Sequence, residues 1–180
     1  GLKFKVNAFS FFQTNIEAVE RLYSEALALI PDLESKVVYD LYCGTGTISQ
    51  LMASKAKKVY GIEIVQDSVD AAIDNAKMNN IDNCHFICGD VKAKLDEVTE
   101  KPDMIVVDPP RMGMHDKVVE MLSSYGIEQI LYISCNPNTM AMNLEKFSEL
   151  GYEPVVMKAY DNFPKTKHME CVTLLVRAIK

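Results

Sequence analysis

From Val37 onward, short unbroken apolar runs alternate with stretches whose apolar residues recur at helical spacing. Val37–Leu41 reads as a buried strand, followed by a glycine turn and a helix over Ser49–Lys57. Lys58–Ile64 reads as a second strand and Asp67–Asn79 as a helix with Val69, Ala72, Ile73 and Ala76 turned inward. His85–Cys88, Met104–Val107 and Gln129–Ser134 continue the strand series, with helices predicted at Lys92–Val98, Lys117–Ser124 and Met140–Leu150. The rhythm then changes: Glu153–Ala159 and Cys171–Ala178 are two strands with no helical pattern between them. Ahead of the series, Thr14-Asn15-Ile16-Glu17 has capping-box spacing and opens a helix. Ile16, Val19, Leu22, Tyr23, Ala26 and Leu27 share one face of it.

Regular strand–helix alternation requires parallel strands joined by right-handed crossovers, which is a doubly wound α/β sheet. The closing pair has no crossover helix, so it is antiparallel or long-looped. The expected fold is therefore α/β, with a mainly parallel seven-stranded sheet, an antiparallel last strand and ligands at the carboxyl ends of its strands.

Composition narrows this further. The chain has 180 residues, of which 48% are apolar and 24% charged, the size of one domain and enough to bury a core without staples. That excludes a disordered or collagen-like protein. Nineteen basic against 25 acidic residues leave a net charge of −6, which by bulk electrostatics is a poor grip on phosphate. No apolar run reaches the ~18 residues of a membrane span, and the amino-terminal segment lacks the layout of a secretory signal. Five cysteines without paired Cys-x-x-Cys spacing form no zinc set, so no metal is expected. Free thiols and ten methionines suit a reducing cytoplasm.

Candidate chemistry gathers at the strand ends. Asp40-Leu41-Tyr42-Cys43-Gly44-Thr45-Gly46 follows the first strand, and Gly44 and Gly46 let the backbone turn tightly beside a ligand. Glu63 closes the second strand, where a carboxylate can accept both hydroxyls of a ribose. The third glycine of the dinucleotide fingerprint is missing, so S-adenosylmethionine is favoured over NAD. Gly89-Asp90 reads either as an adenine-side carboxylate or as an ordinary turn. Asp108-Pro109-Pro110-Arg111 gives a rigid exit from the fourth strand. Enzymes that methylate exocyclic amines carry an aromatic residue after a similar Asp-Pro-Pro; Arg111 here points away from an amine target. It suits a phosphate or a polarised carbonyl, or is simply an exposed structural arginine.

Ser134-Cys135-Asn136-Pro137 ends the fifth strand beside a helix start, where backbone dipoles lower a thiol pKa. Cys43 reads as a packing residue in the turn, and Cys84, Cys88 and Cys171 as buried hydrophobes. In a methyltransferase sheet of this kind the last strand runs antiparallel between the fifth and sixth, which brings Glu170 close to Cys135. A thiolate that adds to carbon 6 of uracil makes carbon 5 nucleophilic toward a methyl sulfonium, and a carboxylate then removes the carbon-5 proton. Apolar burial would raise the Glu170 pKa toward the operating pH. His168 is expected to position the loop.

Taken together, Phe12-Gln13-x-Asn15, Asp40-x-Tyr42-Cys43-Gly44-x-Gly46, Gly61-x-Glu63, Asp108-Pro109-Pro110-Arg111, Ser134-Cys135-Asn136-Pro137 and Asp161-x-Phe163-Pro164-x-Thr166-x-His168-x-Glu170 resemble the RNA uracil-5 methyltransferase family over essentially the whole chain. The resemblance implies S-adenosyl-L-methionine as cofactor, bound by Gln13, Tyr42, Glu63 and Asp108, with Cys135 as nucleophile and Glu170 as base. Thr47 stands where many members carry Asn. Members are usually longer, with an amino-terminal RNA-binding barrel, so residues 1–180 look like a single catalytic domain, 1–30 being a leading segment and helix. The acidic charge then agrees with an RNA partner gripped mainly by domains outside this sequence. The Phe9-Ser10-Phe11-Phe12-Gln13 lead is closer to the rRNA-directed branch than to the tRNA branch. Two alternatives remain: N-methyl transfer with Cys135 structural, and a cofactor-binding module without turnover.

Overall fold

The computed structural model describes residues 1–5 and 15–178. Gln13 and the Phe9–Gln13 lead lie outside the described residues. The elements follow in the order α1 (Ile16–Leu27), β1 (Val37–Leu41), α2 (Thr47–Ala53), β2 (Lys58–Glu63), α3 (Gln66–Met78), β3 (Cys84–Cys88), α4 (Val91–Lys94), β4 (Met104–Val107), α5 (Asp116–Ser124), β5 (Gln129–Ser134), α6 (Pro137–Glu149), β6 (Tyr152–Tyr160) and β7 (Glu170–Arg177). The strands make one seven-stranded sheet ordered β3-β2-β1-β4-β5-β7-β6. The chain divides into two compact units, Gly1–Thr14 with Ile30–Pro102, and Asn15–Leu29 with Asp103–Lys180.

In the first unit, β1 pairs in parallel with β2, and β2 with β3. Every residue of β1 is buried, Asp40 included, as expected of a strand covered on both faces. Asp40 pairs with Gly61 and Glu63 with Cys88, so the carboxyl ends of the three strands lie level. α2 begins at Thr47, two residues earlier than its pattern suggests, because Gly46 in the left-handed region (φ 78°) caps it. It ends at Ala53, and the polar Ser54–Lys57 stretch turns into β2.

Gly46 has no substitute. A Cβ there would stand 2.7 Å from the Phe86 ring and 3.0 Å from the Ala72 Cβ, on a backbone that L-residues avoid. Gly46→Ala is expected to destabilise the protein by about 2–3 kcal/mol, read as a lower denaturation midpoint with an unchanged denaturant slope.

In the second unit β4 and β5 are parallel, while β7 runs antiparallel to both β5 and β6, the hand expected where no crossover helix exists. Asn15 caps α1, accepting from the Ala18 N–H, and donates from its Nδ2 to the Asn162 carbonyl at 2.8 Å. That ties the helix start to the loop before β7. Val19, Leu22, Tyr23 and Ala26 are buried as the helical spacing predicts, but Ile16 is 59% exposed, since it sits at the helix's open first turn. Glu25 on α1 accepts from Lys158 Nζ at 3.1 Å and the Tyr160 hydroxyl at 2.9 Å on β6. α6 starts at Pro137 rather than Met140: Asn136 caps it, and a first-turn proline is already set for the helix.

Two further expectations need correction. Lys92–Val98 is not one helix but the four-residue α4 followed by a tight turn at Leu95–Glu97. Cys88, at the carboxyl end of the edge strand β3, and Cys171, paired with Ser134 at the carboxyl end of β5, are only half-buried; Cys84, at the other end of β3, is buried as expected. No helix among the described residues is long and apolar enough to cross a membrane, and no group of ligating side chains could hold a metal ion.

Candidate functional site

The first unit presents the glycine turn. Tyr42 (φ 64°) and Gly44 (φ 54°) are both left-handed, and the N–H groups of Tyr42 and Cys43 both donate to the Ile62 carbonyl, at 3.0 and 3.2 Å. The turn therefore hangs from the end of β2. Glu63 fastens it: one carboxylate oxygen accepts from the Gly44 N–H at 3.0 Å, the other from the Val65 N–H at 2.9 Å. A carboxylate offers about four acceptor positions, so Glu63 keeps capacity for hydroxyl donors while bracing two loops. At Gly44 a Cβ would meet no atom of the described residues within 4 Å, so among them this backbone faces space in which a ligand can approach. Tyr42 is half-buried, and its phenol pKa is pushed up by burial and by the charge of Asp90. Asp90 itself caps α4, accepting from the Lys92 and Ala93 N–H groups with one carboxylate oxygen.

Asp40 is fully buried at the end of β1. The Ser49 hydroxyl donates to its Oδ2 at 2.5 Å, while Oδ1 has no hydrogen-bond partner among the described residues. Burial, with a smaller contribution from the Glu63 charge, pushes its carboxyl pKa up to about 7. Cys43 packs beside it with its thiol held well above the ordinary range, mainly by burial, which agrees with an inert packing role.

The second unit holds the thiol and the second carboxylate. Ser134 at the end of β5 pairs with Cys171 at the start of β7, so the next residues outward, Cys135 and Glu170, are brought together. The Glu170 side chain is only 5% exposed, and its charge is felt at the Cys135 thiol, as is that of Asp108. The expected lowering of the thiol pKa is not what this arrangement produces. Burial first, then Glu170 and Asp108, push Cys135 above its ordinary value, and Arg111 and a backbone hydrogen bond offset only part. The helix start does not rescue it, because Asn136 takes up the Asn138 N–H with its own side chain.

Arg111 organises this end. Its carbonyl accepts from Asn136 Nδ2 at 2.9 Å and Thr139 Oγ1 at 3.2 Å, pinning the Asp108–Arg111 loop to the residues after Cys135. Its guanidinium meets His168 Nδ1 at 3.0 Å. Arginine only donates, so that ring nitrogen is the acceptor. His168 thus ties its loop to the arginine, in keeping with the positioning role expected for it. The structure unites Tyr42, Gly44, Gly46 and Glu63 in one unit and Asp108, Cys135 and Glu170 in the other. Gln13 lies outside the described residues. Sequence reading missed Ser49, since a serine on a helix face gives no signal until the fold sets it against Asp40.

The family model described as tRNA (uracil-5-)-methyltransferase matches residues 1–178. The chain belongs to that family. It is 49% identical over 178 residues to a protein of Clostridium acetobutylicum described as an uncharacterized RNA methyltransferase, covering 99% of this chain and 39% of that one. A protein of Caldanaerobacter subterraneus with the same description is 49% identical over 178 residues, covering 99% and 40%. The chain thus spans about two fifths of the length of these relatives. Among solved structures it is similar to the Pyrococcus abyssi tRNA (uracil-54, C5)-methyltransferase in complex with S-adenosyl-L-homocysteine, with a TM-score of 0.83 and 30% identity over 97% of this chain and 42% of that one. A precorrin-6y C5,15-methyltransferase from Geobacter metallireducens, at TM-score 0.75 and 13% identity, shares the fold alone. The doubly wound sheet agrees with the alternation of elements, and the antiparallel last strand between β5 and β6 agrees with the insertion expected of a methyltransferase sheet.

Proposed function

We propose that this chain is the catalytic part of an S-adenosylmethionine-dependent methyltransferase acting on carbon 5 of a uridine in RNA, through a covalent bond between Cys135 and the uracil. The observation that carries the reading is the Cys135/Glu170 pair across β5 and β7 in a chain of this family. The residues present fit the cofactor. The left-handed glycine turn leaves backbone accessible at Gly44, Glu63 keeps acceptor capacity for a ribose diol, and Asp40 holds an unpartnered oxygen beneath the turn. Tyr42, Gly44, Gly46 and Glu63 would hold S-adenosylmethionine, together with Asp108 and Gln13. When bound, it supplies an electrophilic methyl group.

The chain's own residues do the rest. The Cys135 thiolate adds to carbon 6 of the uracil, and the electron pair of the 5,6 double bond becomes available at carbon 5. Once carbon 5 carries the methyl group, Glu170 takes its proton, the double bond reforms and the thiolate leaves. Arg111, beside the thiol, suits the developing negative charge on the uracil carbonyl.

Glu63→Ala removes two charge-assisted hydrogen bonds expected to reach the ribose. It should weaken S-adenosylmethionine binding by about 10–100-fold, measured by calorimetry. An unchanged dissociation constant would remove Glu63 from the cofactor site. The Phe9–Gln13 lead favours an rRNA target; the naming of the Pyrococcus neighbour as a tRNA enzyme favours the second reading, a tRNA uridine. The deciding experiment incubates the protein with rRNA and tRNA from cells lacking it, then identifies the methylated nucleoside by mass analysis. 5-Methyluridine in one fraction is expected; an N-methylated nucleoside would overturn the reading.

A further inference from the structure

Asp40 is a buried carboxyl group that the uracil chemistry does not use. Its side chain is fully buried and Oδ1 has no hydrogen-bond partner among the described residues, an arrangement that costs free energy unless something offsets it. The groups that face it, apart from residues of its own strand, come from four places. Ser49 on α2 binds Oδ2, Glu63 at the end of β2 adds a like charge, and the Cys43 and Cys84 thiols of the turn and β3 feel the Asp40 charge. No lysine, arginine or histidine acts on it among the described residues. A carboxyl group so placed has two ways to reach a low energy: hold a proton, or face a cation.

Ser49 tolerates both states, because a hydroxyl donates to a carboxylate and accepts from a carboxylic acid. Burial favours the protonated state, with a pKa pushed up to about 7. The turn that covers Asp40 is the one assigned to the methyl donor, and the donor differs from its product by one charge. S-adenosylmethionine carries a sulfonium cation and S-adenosylhomocysteine a neutral thioether.

We propose that Asp40 is a proton-linked counter-charge for the methyl donor, releasing its proton to solvent when the sulfonium binds and keeping it when the neutral product binds. The inference rests on the donor reading above. It gives the site a means of telling substrate from product by charge rather than shape: the donor's cation is paired with a carboxylate, whereas the neutral product gains no such pairing. The sign follows from linkage. Below the carboxyl pKa of the free protein the proton must be displaced, so donor affinity rises with pH and levels off once Asp40 is ionised without ligand. One linked proton corresponds to a slope of about tenfold in affinity per pH unit at the acid end.

The test is calorimetric titration of the protein with S-adenosylmethionine and with S-adenosylhomocysteine between pH 5.5 and 7, in buffers of different ionisation enthalpy. In this range the ligands' ammonium groups stay largely protonated. The expected result is net proton release with the donor, approaching one proton near pH 6, and much less with the product. Asp40→Asn should bind both ligands with no difference in proton release, and Ser49→Ala, which removes a donor to the carboxylate, should shift the affinity rise to higher pH. Equal proton release by the two ligands, or a persisting difference in folded Asp40→Asn, overturns the inference while leaving the donor reading standing. If neither ligand binds the folded wild-type protein, the donor reading falls and the inference with it.

Discussion

Replacing Cys135 with Ala is expected to abolish formation of a covalent adduct with 5-fluorouridine-containing RNA and to lower methylation at least about a thousandfold. The size of the loss follows from the chemistry. Carbon 5 of uracil is a weak nucleophile until carbon 6 is attacked, and among the described residues Cys135 is the thiol facing Glu170 and Asp108. Cys135→Ser should be nearly as inactive, because a hydroxyl is far less ionised than a thiol at neutral pH. The direction of the pH dependence is fixed as well. Burial and two carboxylates raise the Cys135 pKa above its ordinary value of 9.0, so the thiolate fraction at neutral pH is small and grows about tenfold per pH unit. Initial rates of adduct formation should therefore climb through pH 9 without a plateau. A plateau near pH 7 would show a thiol activated before RNA arrives, contrary to the electrostatics of this site. Adduct formation by Cys135→Ala would remove Cys135 as the nucleophile.

Glu170→Gln should separate the two halves of the reaction. In the proposed mechanism the carboxylate is the base for carbon 5, and it is also a like charge that holds the thiol up. Its removal should slow completed turnover by about 10²–10⁴-fold, while the Cys135 thiol titrates at lower pH than in the wild type. Attack on carbon 6 is retained and release is not, so a denaturation-resistant adduct should accumulate with natural uridine, which the wild type does not hold. The measurements are gel mobility of the protein–RNA species and the pH dependence of thiol alkylation. Turnover within a few fold of wild type would exclude Glu170 as the base. An unchanged thiol titration would mean that its charge does not reach Cys135.

Both predictions depend on a contact between residues 35 positions apart, and the route to it shows what kind of information each level holds. The local ladder was readable: strands β1, β4 and β5 as short, mainly apolar runs, and α1 from its spacing. Element ends were less so. α2 and α6 began earlier than their apolar patterns because caps and a first-turn proline, not periodicity, set a helix start. The pairing of Cys135 with Glu170 was anticipated only through the expected insertion of the last strand between the fifth and sixth.

The sequence by itself determined the order of strands and helices, the glycine turn with Asp40 and Glu63 around it, and the motifs that carry family membership. Those are properties of neighbouring residues and of spacing. Protonation and support were decided only by the tertiary structure. Cys135 at a helix start looked activated, yet burial beside Glu170 and Asp108 moves its pKa the other way. Asp40 read only as the first residue of the glycine-turn motif, yet full burial, with the Ser49 hydroxyl on one oxygen, pushes its carboxyl pKa up to about 7. The physical reason is the same in both cases. An ionisable group responds to how much water the fold removes and which charges it brings near, and residues distant in the chain decide both.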